Sequence, residues 1–146
     1  MRSACYRRAI FGIVTGLLII SVAGFEFGDE ANADDLHLGI IEYEIACMQC
    51  HGLEGRGDGP LAKTLKTAPA NLAQITRSNR GKFPSEKIAE IIDGRAIVAA
   101  HGDRDMPVWG DRYRAPVPGK SPAWVEQRVR AQIRALTDYI KSIQEQ

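Results

Sequence analysis

Two thiols and an imidazole fall within five residues, Cys47-Met48-Gln49-Cys50-His51. On an exported chain this Cys-x-x-Cys-His run is the spacing for covalent haem attachment: the thiols join the haem vinyl groups as thioethers and the adjacent imidazole binds iron. The spacing serves geometry. Cysteines three apart at a helical end turn both sulfurs to the porphyrin edge, and His51 swings beneath the iron. Three other chemistries use the same residue types. A thioredoxin-like redox pair calls for a preceding strand in a βαβ unit, a zinc site for two further good ligands, and a plain disulfide leaves His51 without a purpose.

Iron held by one histidine needs a sixth ligand, for which the downstream candidates are His101 and Met106. Met106 lies in Asp105-Met106-Pro107-Val108-Trp109, where proline stiffens the backbone beside the thioether; His101 sits in a Gly-flanked polar turn. A core-filling methionine and a surface histidine are the ordinary roles of such residues. Beside a haem signal, the iron-binding role goes to Met106. Met48, between the cysteines, is poorly aimed at the opposite haem face. The expected cofactor-binding set is therefore Cys47, Cys50, His51 and Met106, with His51 and Met106 as metal ligands of one covalently bound haem c. There is no Gly-x-Ser-x-Gly, no His-Glu-x-x-His and no convincing acid/base pair, so no independent catalytic set is expected.

Helices must position these groups. Leu36, Ile40, Tyr43 and Cys47 recur at helical spacing, predicting a short helix to Ala46 with Glu42 and Glu44 turned away. The following Gly52 to Pro60 holds four glycines and must be a loop. No strand precedes it and no Gly-Lys-Ser/Thr follows, so a phosphate-binding loop is a poor match, and backbone freedom beside a bulky group explains it better. Helical turns are expected at Leu61 to Leu65 and Asn71 to Ile75. A helix carrying Ile88, Ile91 and Ile92 is expected to begin with Ser85 as N-cap and end at Gly94. Trp109 to Ser121, with Pro116, Pro118 and two glycines, reads as an exposed loop. The clearest helix opens with Ser121 as N-cap and Pro122 in the first turn, then carries Val125, Val129, Ile133, Leu136, Ile140 and Ile143 on one face. Arg128, Arg130, Arg134 and Lys141 read as its solvated side. No hairpin pattern and no repeat occurs, so the fold class is all-α.

The chain has 146 residues, which suits one domain of the usual roughly 100–200 residues. Its 19 Lys and Arg against 18 Asp and Glu leave a net charge of +1, with no basic field for nucleic acid. Hydrophobic residues at 45% and charged residues at 25% exclude a disordered chain, a collagen and a polytopic membrane protein. Arg2, Arg7 and Arg8 precede an uncharged apolar run from Ala9 to Phe25, the layout of an export signal. Ala31-Asn32-Ala33 offers a cleavage site, and Ser21-Val22-Ala23 a second. Residues 1–33 are thus expected to be a signal peptide, or an uncleaved N-terminal anchor, and 34–146 the folded domain. Either way the domain faces the periplasm. Arg7-Arg8 supplies ordinary signal charge as readily as a twin-arginine motif. Cys5 precedes the apolar run and is expected to leave with the signal.

The sequence resembles the class I c-type cytochromes, in particular small exported bacterial members with a Met-Pro-x-Trp-Gly segment, over residues 36 to 144. Gly39, Tyr43, Cys47, Cys50 and His51 match that family's N-terminal helix, and Leu136 to Ile143 its last helix. The resemblance implies a cytochrome c fold in which these helices cross around one haem, with Tyr43 and Tyr139 meeting beside Gly39. It implies that the carbonyl of Pro60, in Gly59-Pro60, accepts a hydrogen bond from the haem histidine. Trp109 and the Pro-rich loop after it depart from many members. The implied role is single-electron carriage by His/Met-ligated iron, not enzymatic turnover, with periplasmic or membrane redox enzymes as donor and acceptor and a monomer as the working form. The alternative is a permanently bound or membrane-anchored haem subunit of a larger oxidoreductase complex.

Overall fold

Ser121 and Pro122 start the longest helix as their types dictate. The Ser121 hydroxyl accepts from the Trp124 amide at 3.2 Å, and proline has no N–H to leave unpaired in the first turn. The computed structural model describes residues 33–96 and 106–145, so the signal segment up to Asn32, His101 and Asp105 lie outside the described residues. In chain order the elements are α1 (Ala33–Ala46), α2 (Met48–His51), 3-10 turns at Ala62–Thr64 and Leu72–Gln74, α3 (Ile75–Ser78), α4 (Ser85–Asp93), α5 (Trp109–Tyr113) and α6 (Pro122–Ser142). There is no strand among the described residues, and the protein is all-α as expected. None of the described helices is long and apolar enough to cross a membrane.

The face of α6 predicted from its period is the buried one: Val125, Val129, Ile133, Leu136 and Ile140 enter the core. Thr137 joins them because its hydroxyl donates to the Ile133 carbonyl at 2.8 Å, so nothing polar is left unpaired there. Helix α1 crosses α6 at Gly39. A Cβ at that position would strike the Ala135 carbonyl oxygen and come within 2.9 Å of Tyr139 Cβ. Only glycine admits so close an approach. Beside the crossing the Tyr43 and Tyr139 rings pack with centroids 4.9 Å apart, tilted by 55°.

Four local expectations need correction. Helix α4 begins at Ser85 itself, with Pro84 in the N-cap position, and the Ser85 hydroxyl caps nothing. Its other end is as expected: Gly94 turns left-handed at φ 82°, and the Arg95 amide reaches back to the Glu90 carbonyl at 2.9 Å. Glu42 does not face away. Its carboxylate accepts from the Tyr113 hydroxyl at 2.9 Å and the Gln132 amide at 2.7 Å, joining α1 to α5 and α6. Arg128 is likewise half-buried, donating to the Tyr113 carbonyl at 2.7 Å, whereas Arg130, Arg134 and Lys141 are exposed as expected. Finally, the stretch read as one loop starts with α5. Tertiary contacts override its local composition: Gly110 is buried against Asp93, Arg114 pairs with Asp93 at 2.8 Å, and Tyr113 is held by Glu42.

Candidate functional site

The backbone of α1 continues into the motif almost without a break. The Cys47 amide donates to the Tyr43 carbonyl at 2.8 Å, and the His51 amide to the Cys47 carbonyl at 2.8 Å. Cys47, Cys50 and His51 therefore stand at i, i+3 and i+4 of one helical turn and share a face. Both cysteines are free thiols. Cys47 is buried and Cys50 half-buried. Burial, followed by the proximity of Cys50 and Glu42, pushes the Cys47 thiol up to about 12, so it stays protonated at neutral pH.

The glycine-rich loop folds back onto this turn. Its Gly57 amide donates to the His51 carbonyl at 2.7 Å, Gly59 to Cys50 at 3.1 Å, and Leu61 to Gln49 at 2.9 Å. A Cβ on Gly59 would lie 2.5 Å from the Gln49 carbonyl oxygen and 2.6 Å from that of Met48. The loop's glycines thus serve close approach to the motif's own backbone. Tyr43 seals the junction from inside, donating its hydroxyl to the Gly52 carbonyl at 2.7 Å. Burial holds that phenol well above its ordinary range.

The expected partner of the histidine is corrected here. His51 Nδ1 lies 2.9 Å from the carbonyl oxygen of Ala70, not that of Pro60. A carbonyl only accepts, so Nδ1 carries the proton and the lone pair that can act as a metal donor is on Nε2. Ala70 belongs to the extended segment before the second 3-10 turn, 19 residues from His51. No short-range pattern ties the two, and sequence reasoning missed it for that reason.

Cys47, Cys50, His51 and Met106 all line one cleft, so the structure brings the four predicted site residues together. Its remaining walls are almost wholly apolar, including Leu65, Leu72, Ile75, Ile88, Ile92 and Ile140. Pro107 and Trp109, neighbours of Met106, also face it. The cleft encloses about 200 Å³ and is open to solvent at its mouth. Two free thiols, an imidazole with its outer nitrogen engaged, a thioether and greasy walls are the donor set and lining that a covalently attached porphyrin needs. Among the described residues no three His, Cys, Asp or Glu side chains gather around a metal position.

The family model of cytochrome c matches residues 42–144, more than half of the chain. The chain belongs to the cytochrome c family. Membership makes it a haem protein of electron transfer, with haem c bound covalently, and fits a carrier better than an enzyme. The matched span starts in α1 at Glu42, takes in Cys47, Cys50, His51 and Met106, and ends just past α6. No curated protein and no solved structure matches the chain.

Proposed function

We propose that this cytochrome c is a mono-haem carrier that passes single electrons between larger redox enzymes in the periplasm. The observation that carries it is the shared cleft: one apolar space meets both thiols, the imidazole and the thioether. Bound haem supplies a reversible one-electron couple at iron. Cys47 and Cys50 hold it by thioether bonds and keep it in a small protein. His51 would hold the iron through Nε2, with the Ala70 carbonyl fixing its ring and raising its donor strength. Met106 would supply its thioether as the second protein ligand, a pairing that would close the iron to substrate and favour a higher potential. With Cys5 removed in the leader, Cys47 and Cys50 are the only thiols, which sets one haem per chain. The arginine-then-apolar leader supports export, and the near-neutral charge supports transient encounters over a permanent charged seam.

Met106→Ala tests the ligand set. The haem stays attached, the weak far-red band of methionine-bound ferric iron disappears, cyanide binds more readily and the potential falls. His101→Ala changes none of these. Loss of the band in the His101 variant, with Met106→Ala unaffected, would reverse the assignment.

A further inference from the structure

Met106 falls in the stretch of sequence between Gly94, which caps α4, and the end of α5. A single buried carboxylate meets both of its ends. Asp93, 5% exposed, accepts from Arg95 Nε at its start on one oxygen and from Arg114 Nη2 just past α5 on the other, at 2.5 and 2.8 Å. The backbone closes around the same point. Gly110, in the first turn of α5, is buried so tightly on Asp93 that a Cβ there would strike the carboxylate. Val108, two residues past Met106, lies on Gly94, where a Cβ would collide with its side chain. Asp93 belongs to α4, whose Ile88, Ile91 and Ile92 face the cleft.

We propose that Asp93 is a positioning residue for the sixth iron ligand: by tying Arg95 and Arg114 to one anchor, it holds the Met106 segment against the cleft. This rests on Met106 being that ligand. Asp93 does not line the cleft and acts only through the chain it fastens. A carboxylate suits the task because two guanidinium groups need two acceptor oxygens, and the carboxylate is buried while the Arg95 and Arg114 side chains are 65% and 36% exposed. An amide at the same place has one acceptor and turns N–H groups towards a guanidinium, so one arginine loses its tie to residue 93, although Arg114 keeps its bond to Glu126 at 3.2 Å.

The test uses holoprotein and titrates ferric wild type, Asp93→Asn and Arg114→Gln with imidazole while following the far-red band. Both variants should keep the haem and show a weaker band, a lower potential and imidazole binding roughly tenfold tighter, with Asp93→Asn the larger effect. Arg130→Gln removes an exposed arginine that, among the described residues, pairs with Glu126 and not with Asp93, and should titrate as wild type. Leu136→Val loosens the core away from the clasp, and it too should leave imidazole affinity close to wild type. The proposal is overturned if Asp93→Asn and Arg114→Gln titrate as wild type, or if Leu136→Val matches them, since general loosening would then suffice. Should Asp93→Asn fail to fold, Arg114→Gln decides on the same terms. A band that survives Met106→Ala overturns the ligand assignment instead, so the two failures are distinct.

Discussion

Tyr43 does two jobs with one side chain. Its ring fills the gap beside the Gly39 crossing, and its hydroxyl satisfies the Gly52 carbonyl at the end of the motif helix. Tyr43→Phe keeps the ring and leaves the carbonyl only the longer bond from the Gly55 amide at 3.3 Å, which should cost about 0.5–1.5 kcal/mol of stability. The pH dependence has a definite sign. Burial raises the phenol's pKa in the folded protein, while the unfolded chain ionises at about 10. Its contribution is thus complete below pH ~10 and is lost as the pH climbs towards the folded value. Tyr43→Phe should lower the denaturation midpoint at neutral pH and soften its decline above pH ~10, compared with wild type. Equal midpoints would remove the tyrosine from the account. At this scale the thiols, His51 and Met106 were legible because their chemistry is encoded by type and spacing. The Ala70 carbonyl was not, since every residue owns one and only the folded chain chooses it.

Among the elements, α1 was readable from the helical spacing of Leu36, Ile40, Tyr43 and Cys47, and α6 from its apolar face and from Ser121 and Pro122 at its start. Their crossing makes Gly39→Val a sharp probe. Added methyl groups must displace the Ala135 backbone, so the expected loss is about 1–3 kcal/mol. The control is Ile45→Val, at an exposed position of the same helix, because Gly119 stands at φ 74° and would strain any side chain placed there. A Gly39→Val midpoint equal to that of Ile45→Val would mean that the helices do not cross at this residue. Helix α5 was hidden for the opposite reason. Five residues cannot display a period, and Gly110 argues locally against a helix. What makes it helical lies elsewhere in the chain, at Glu42 on α1 and Asp93 on α4. The same long-range bonds explain why Glu42 and Arg128, polar by type, belong to the packed interior.

For the whole molecule, the two ends of the domain meet so that the first described helix and the last enclose the cleft from one side. The α3 and α4 segments supply apolar walls to it. The proposed compartment rests on residues 1–33 acting as an export leader. Deleting residues 1–33 should leave haem-free protein in the cytoplasm, because thioether formation in systems resembling this one follows export; fully loaded protein recovered there without attachment machinery would contradict it. The central claim is that one haem is joined covalently through Cys47 and Cys50, and the direct measurement is the intact mass of the exported protein under denaturing acid. The account predicts the mass of the mature polypeptide plus one haem, with all porphyrin absorbance following the chain. A bare polypeptide mass, with haem partitioning into the solvent, would contradict it.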